Sequence, residues 1–146
     1  MTGANISEIA LLDVKNLAYL LVDGYWQVSV VDEIDSTQTY LKSKSAKHGE
    51  VIAAEFQSAG RGRLDRTFTA PPMSALTFSL YIEPKVEREE WSFMTLLAGL
   101  SVHEALASLD PQVSVGIKWP NDLLIDDKKF VGMIAQATKK RSEERR

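Results

Sequence analysis

The sequence predicts an α/β (α+β) fold in which a mixed β-sheet is flanked by helices. Two β-branched runs, residues 28–34 and 51–56, are typical of buried strands. Apolar residues recur at helical spacing over residues 91–109, which predicts an amphipathic helix. Near the C-terminus, short apolar segments on either side of residues 126–127 predict a hairpin. Because a hairpin accompanies the strand–helix pattern, we expect a mixed rather than a wholly parallel sheet.

The remaining elements follow from local signals. Asp35, Ser36 and Thr37 offer N-cap side chains to a short helix, because such side chains accept hydrogen bonds from free amides of a first turn. Residues 75–82 predict a third strand, and residues 113–117 alternate as a fourth. The hairpin strands are expected at residues 123–125 and 130–135.

The composition is that of an ordinary globular domain. We expect an N-terminal segment at residues 1–27 that packs on a catalytic core at residues 28–136. A charged, disordered tail at residues 137–146 follows. With no cysteine and two histidines, thiolate chemistry is excluded and no metal centre is expected. A net charge of -3, no signal pattern and no membrane-length apolar run predict a cytoplasmic protein without DNA or membrane partners.

A basic glycine loop follows the second predicted strand. Gly60, Arg61, Gly62 and Arg63, with Arg66, place three guanidinium groups within six residues. Glycine permits positive φ and close approach, and arginine suits carboxylate and phosphate oxygens. An anion clamp and a solvent-exposed loop are equally compatible with this pattern alone.

A second group of polar residues surrounds the predicted hairpin. Lys118 precedes a Trp-Pro corner that ends in Asn121 and Asp122, and these two residues by themselves favour a plain turn over a ligand site. Lys129 precedes an apolar strand that Gly132 interrupts, and such a glycine often admits a close ligand or backbone. By itself Lys129 is typical of a surface lysine.

Together these segments resemble the biotin protein ligase family. The matching segments are residues 35–37, 55–63, 118–122 and 129–132, and their order and spacing match as well as their residue types. The resemblance runs from about Val28 to Ala135. It implies a catalytic core like that of biotin ligases and class II aminoacyl-tRNA synthetases.

The resemblance also implies an activity. In that family ATP activates biotin to biotinyl-5'-AMP, and a lysine of a biotin carboxyl-carrier protein then takes the biotinyl group. Biotin and ATP, with Mg²⁺, are therefore the implied small-molecule partners. Because both reactants of the first step are anions, cationic side chains are needed to offset their repulsion.

The resemblance assigns residue roles. The implied catalytic residues are Arg61, Arg63 and Lys129. The implied biotin-binding residues are Ser36, Thr37, Gln38, Gln57, Gly60, Arg61, Gly62, Arg63, Lys129 and Gly132. The implied nucleotide-binding residues are Arg63, Arg66, Phe68, Lys118, Asn121 and Asp122, although structural support is an equal alternative for Lys118 and Asp122. No protein metal ligands are implied.

The chain departs from the family pattern in a few places. Gln38 stands where asparagine is usual, Asp65 where glycine is common and Phe68 where tryptophan is usual. Asp65 either repels an anionic ligand or pairs with an arginine. Members normally continue beyond Gly132 into a further strand and a small C-terminal domain. We therefore expect an incomplete core whose exposed sheet edge at residues 131–135 favours a homodimer.

Other features have simpler interpretations. We expect Trp119 to lie in the core rather than to stack on a ligand, and His48 and His103 to have no catalytic role. The stretch before Val28 is too short for a winged helix, which favours a monofunctional ligase. Two alternatives remain: a lipoate-type acyl ligase, and a non-catalytic module that binds biotin or its adenylate.

Overall fold

A computed structural model describes residues 24–138, which belong to two compact units divided between Glu83 and Pro84. The predicted N-terminal packing segment, apart from its last four residues, lies outside the described residues, as does the charged tail from residue 139. The predicted extent of the core, residues 28–136, stays a prediction. Each unit is described in turn.

The first unit is a three-stranded sheet with one helix. Strand β1 (Gln27–Ile34), helix α1 (Thr37–Ser43), strand β2 (Glu50–Gln57) and strand β3 (Thr77–Leu80) follow one another. Strand β2 lies in the centre, parallel to β1 and antiparallel to β3. The predicted mixed sheet is therefore confirmed in this unit. Its helix supplies the crossover that two parallel strands require.

The core of the first unit is built on the central strand. Ile52, Ala53 and Ala54 are consecutive and buried, so both faces of β2 are covered. Leu41 of α1 is buried as well. Helix α1 begins as predicted, because Ser36 is its N-cap and its hydroxyl accepts from the amide of Thr39 at 3.4 Å.

The connection from α1 to β2 is tied by charge. Lys44 caps the C-terminus of α1, and its ammonium lies 3.0 Å from a carboxylate oxygen of Glu50 at the start of β2. This hydrogen bond raises the pKa of Lys44 above its ordinary value of 10.5. The Lys44 ammonium therefore remains charged throughout the physiological range.

The second unit packs one helix on an antiparallel sheet. A 3₁₀ helix (Arg88–Phe93) leads into α2 (Met94–Leu109), and strands β4 (Val115–Lys118), β5 (Asp122–Ile125) and β6 (Lys128–Gly132) follow. The strand order is β4-β5-β6. Leu123 of the central strand is fully buried. The predicted hairpin is confirmed, although β6 ends three residues before the predicted position 135.

Helix α2 differs from the amphipathic prediction in its burial. The helix forms, but Leu97 is 51% exposed and Leu109 is 81% exposed. Apolar residues occur on every side of α2, so one packed face cannot cover them all.

The same composition makes Arg88–Leu109, with a mean hydropathy of 1.3, long and apolar enough to meet the criterion for a membrane span. This finding corrects the expectation that no apolar run reaches that length. Length and composition are weak evidence for a span, because core helices of soluble proteins meet the same criterion. Glu104 lies within the helix, and a charged side chain is costly in a bilayer.

Candidate active site

Three of the predicted biotin-binding residues, Ser36, Thr37 and Gln57, lie close together in the first unit. The Gln57 side-chain oxygen accepts from the amide of Thr37 at 2.8 Å and from its hydroxyl at 2.9 Å. The Thr37 hydroxyl also lies 2.8 Å from that of Ser79. Ser36 and Thr37 are both buried. The start of α1 thus orients the Gln57 amide, since both donors hold its oxygen in place.

A shallow depression lies beside this polar group. It is an open surface feature and not an enclosed cavity, and its lining residues are Glu55, Phe56, Gln57, Phe68, Ala70, Pro71, Ala75 and Thr77. Two predicted site residues, Gln57 and Phe68, therefore line the same surface. The mixture of aromatic rings with a few fixed polar groups is typical of small-molecule sites.

The basic glycine loop forms a small hairpin. The Gly62 amide donates to the Arg66 carbonyl at 2.7 Å, and the Phe68 amide donates to the Gly60 carbonyl at 2.9 Å. Arg61 and Thr67 form an antiparallel bridge between these bonds. We call residues 60–68 the arginine hairpin. Its backbone hydrogen bonds place three exposed arginines on one short, closed segment.

The glycines of the arginine hairpin serve close packing rather than positive φ. The positive φ values of this loop occur at Leu64 (53°) and Asp65 (57°), not at Gly60 or Gly62. A Cβ placed on Gly60 would lie 2.5 Å from the Phe68 carbonyl oxygen. A Cβ on Gly62 would lie 3.2 Å from that of Arg66. Both glycines let the two arms of the hairpin approach.

Within the arginine hairpin, Arg61 forms a loose ion pair with Asp65. A guanidinium nitrogen of Arg61 lies 4.0 Å from a carboxylate oxygen of Asp65, and the two side chains are 50% and 99% exposed. The alternative in which Asp65 pairs with an arginine is thus the one observed. A pair so exposed contributes at most about 1 kcal/mol. An incoming anion can therefore compete for Arg61.

The second group of predicted residues meets on the sheet of the second unit. Lys118, Asp122 and Gly132 lie opposite one another across the three strands. The Lys129 ammonium lies 2.9 Å from Asp122 Oδ1, which also accepts from the Asn121 side-chain amide at 2.9 Å. Asp122 is thus the centre of this polar group, which holds Lys129 by a direct ion pair.

Trp119 does not lie in the core. It is 76% exposed, so the prediction of a core position was wrong. The residue stands in the short turn between β4 and β5, just before a cis peptide bond to Pro120. A side chain at the tip of a two-strand connection lies beyond the packed face of the sheet, whatever its hydrophobicity.

Comparison with known proteins identifies the family to which the chain belongs. The family model described as "Biotin/lipoate A/B protein ligase family" matches residues 30–145, which include every predicted site residue. The chain belongs to this biotin/lipoate protein ligase family.

Curated relatives in the biotin/lipoate ligase family carry ligase names. The chain is 33% identical over 135 residues to a biotin--[acetyl-CoA-carboxylase] ligase of Mycobacterium tuberculosis, covering 86% of this chain and 51% of the relative. It is also 33% identical over 141 residues to the bifunctional ligase/repressor BirA of Escherichia coli, covering 94% and 43%. The chain spans about half the length of these relatives. Because both kinds of ligase match, the monofunctional prediction stays a prediction.

A solved structure shows the same fold. A biotin protein ligase from Aquifex aeolicus, in complex with biotin and ATP, superposes with a TM-score of 0.70 at 35% identity. The match covers 77% of this chain and 47% of that chain. The predicted biotin ligase-like fold is therefore confirmed.

The predicted site residues divide between the two units. Those of the first unit are Ser36, Thr37, Gln38, Gln57, Gly60, Arg61, Gly62, Arg63, Arg66 and Phe68, and those of the second are Lys118, Asn121, Asp122, Lys129 and Gly132. Ser79, which contacts Thr37, was missed. The alternation of Thr77 and Ser79 with apolar neighbours along β3 was the available signal, because alternate strand residues share a face.

Proposed function

We propose that this chain is the catalytic core of an ATP-dependent biotin--[biotin carboxyl-carrier protein] ligase. It activates biotin to biotinyl-5'-AMP and transfers biotin to a lysine of a carrier protein such as that of acetyl-CoA carboxylase. The observation that carries the proposal is the Ser36–Thr37–Gln57 group, fixed beside a depression in the unit that carries the arginine hairpin. Family membership and the Aquifex aeolicus complex with biotin and ATP support it.

The depression suits the two halves of biotin. The ureido group of biotin needs hydrogen-bond partners, and the sulfur-containing ring and valerate chain of biotin are apolar. Gln57 lines the depression with a side chain that Thr37 holds in place, and Phe56, Phe68 and Pro71 supply apolar surface. We assign biotin to this surface. Ser36 and Gln38 act at the start of α1, where Ser36 caps the helix.

The cationic residues suit the first chemical step. In that step a biotin carboxylate oxygen bonds to the α-phosphorus of ATP, and the bond from that phosphorus to the leaving pyrophosphate breaks. Arg61 and Arg63, with Lys129, offset the repulsion between the two anions and stabilise charge developing on the phosphoryl oxygens. Arg66 supports the arginine hairpin, because its backbone carbonyl accepts from the Gly62 amide.

The predicted nucleotide-binding residues receive two kinds of role: contact with ATP and positioning of a neighbouring side chain. Lys118 and Asn121 are assigned to ATP, and Phe68 to an apolar cover over the nucleotide. Asp122 already accepts from Asn121 and pairs with Lys129, which supports a positioning role.

The residues described do not form a protein cage for Mg²⁺. Over residues 24–138 no group of three or more His, Cys, Asp or Glu residues is placed to hold a metal ion. Asp122 Oδ1 is already engaged by Asn121 and Lys129. We propose that Mg²⁺ arrives as the complex of ATP, with phosphate oxygens as ligands.

The wider setting is proposed on composition and sheet geometry. We propose a cytoplasmic protein without a membrane or DNA partner, supported by the absence of cysteine and by a net charge of -3. We propose that the chain forms a homodimer through β6, which lies at the edge of its sheet. Sedimentation at increasing concentration tests this assignment, and a monomer at all concentrations contradicts it.

The proposal is tested by pyrophosphate release in the presence of biotin, ATP and Mg²⁺. We expect biotin-dependent release, and we expect Arg63→Ala to lower kcat/KM by roughly 10²-fold, the usual cost of removing a transition-state anion donor. Arg88→Ala in the 3₁₀ helix is the matched control. Release that does not depend on biotin, or an Arg63→Ala variant with normal kcat/KM, contradicts the proposal.

Two alternatives rest on specific observations. The matching family includes lipoate ligases as well as biotin ligases. The second alternative is a non-catalytic module that binds biotin or its adenylate through the same Ser36–Thr37–Gln57 group. Calorimetry separates them: binding of lipoate without biotin favours the first, and biotin binding without pyrophosphate release favours the second.

A further inference from the structure

The ammonium end of the Lys129 side chain is held by an ion pair. Lys129 lies on β6, and its ammonium pairs with Asp122 of β5 at 2.9 Å while 53% of the side chain is exposed. Asp122 itself is only 19% exposed, and Asn121 donates to the same carboxylate oxygen. Since the acceptor is fixed by a second donor and largely sheltered, the ion pair gives Lys129 a defined direction.

Gly132 provides the space in which this side chain lies. A Cβ placed on Gly132 would lie 2.7 Å from Lys129 Cε and 2.8 Å from Nζ. It would lie 3.6 Å from Asp122 Oδ1, which is an ordinary van der Waals contact, so the added atom would displace the lysine end of the ion pair and not the carboxylate. The lysine therefore folds back over a position that only glycine leaves open.

A bulge brings these residues to one face of the sheet. In a regular strand Lys129 and Gly132 would point to opposite faces, because side chains alternate. Here Leu123 pairs with Val131 and Leu124 pairs with Lys129, which leaves Phe130 as an extra residue. Gly132 pairs with Asp122, so the extra residue places Lys129, Gly132 and Asp122 on the same face.

We propose that Asp122, Gly132 and the bulge at Phe130 form a seat that positions Lys129 for the acyl-phosphate centre. The assignment rests on the proposed function, in which Lys129 stabilises charge at that centre. An ammonium has three donors, so Lys129 can hold Asp122 and still offer two to an anion. Asp122 and Gly132 are therefore positioning residues that act through Lys129.

The seat is tested first without any ligand. Competitive labelling of the whole protein with acetic anhydride, read by mass spectrometry, compares Lys129 with its exposed neighbour Lys128. An amine bound to a carboxylate reacts slowly, because the pair must break first. We expect Asp122→Asn and Gly132→Ala to raise labelling of Lys129 relative to Lys128 by about two- to fivefold. Asp127→Asn, which removes the same charge from the hairpin turn, is the control and should leave the ratio unchanged.

The contribution of the seat to the reaction is tested by a double-mutant cycle. We expect Asp122→Asn and Gly132→Ala each to lower kcat for pyrophosphate release by roughly three- to tenfold, with a smaller change in the KM for biotin. In a Lys129→Ala background neither change should have a further effect, since both act through this lysine. Circular dichroism checks that each variant is folded.

The outcomes separate this inference from the proposed function. Unchanged Lys129 labelling in a folded Asp122→Asn variant overturns the seat, whether or not the protein is a ligase. Equal losses with and without Lys129 also overturn it, because the effect would then be structural. Absence of biotin-dependent pyrophosphate release in the unaltered protein contradicts the proposed function and leaves the labelling result standing.

Discussion

Single residues constrain the first unit most strongly at the entry to β2. Gly49 has φ of 88°, and a Cβ added there would collide with the Tyr25 carbonyl oxygen. The backbone that follows Tyr25 is fixed next to Gly49, because the Gln27 amide donates to the Gly49 carbonyl at 2.8 Å. Only glycine adopts this positive φ without strain and carries no Cβ that would meet the Tyr25 carbonyl oxygen.

Gly49→Ala is therefore expected to destabilise the protein by more than about 2 kcal/mol, the upper range for a left-handed conformation alone. The free energy of unfolding from urea denaturation measures this. Gly24→Ala is the matched control: Gly24 has φ of 64°, but no atom of residues 24–138 lies within 4 Å of its added Cβ. Equal losses in the two variants would show that the collision with Tyr25 contributes nothing.

Thr37 is the second residue on which the first unit depends. Its hydroxyl connects Gln57 and Ser79, and the side chain is buried. Removing the hydroxyl takes one contact from each of two half-buried polar partners, which costs about 0.5–1.5 kcal/mol.

Thr37→Val is expected to lower stability by that amount and also to weaken biotin binding, since Gln57 loses one of the two donors that orient it. Calorimetry with biotin and urea denaturation provide the two readouts. Thr39→Val makes the same change two residues along α1 and serves as the control. Normal biotin affinity in a folded Thr37→Val variant would argue against the assigned biotin surface.

At the scale of the element, the arginine hairpin combines charge with a closed backbone. Its two arms are joined by hydrogen bonds from Gly62 to Arg66 and from Phe68 to Gly60. Asp65 and Leu64 make the turn in the left-handed region. The arginines are thus presented by an ordered segment, which reduces the entropy lost when they bind an anion.

Gly60→Ala should open this hairpin, because the added Cβ would lie 2.5 Å from the Phe68 carbonyl oxygen and 3.3 Å from the Gln57 amide nitrogen. We expect a clear rise in the KM for biotin and ATP. Gly62→Ala, at 3.2 Å from the Arg66 carbonyl oxygen, should cause a smaller rise. Steady-state kinetics of pyrophosphate release measure both variants, and a reversed order of effects would contradict the packing argument.

At the scale of the whole molecule, the described residues form two three-stranded sheets, one mixed and one antiparallel. The proposed cations come from both: Arg61 and Arg63 from the first unit, Lys129 from the second. Each group has its own local support, the arginine hairpin in one case and the Asp122 ion pair in the other.

The sequence alone determined the elements and the identity of the site segments. Strand β1, the N-cap at Ser36 and the hairpin at residues 126–127 follow from neighbours in the chain, so local patterns predict them. The residue types of the arginine hairpin and of the Lys118–Asp122 segment likewise indicated the family.

Only the tertiary structure decided which atoms these residues contact. The ion pair of Lys129 depends on the register of β5 and β6 and on one extra residue at Phe130, and the sequence pattern of β6 contains no mark of either. The exposure of Trp119 and the close packing at Gly60 depend in the same way on residues that are distant or across a turn. Propensity describes a residue and its neighbours, whereas pairing and burial are properties of the folded chain.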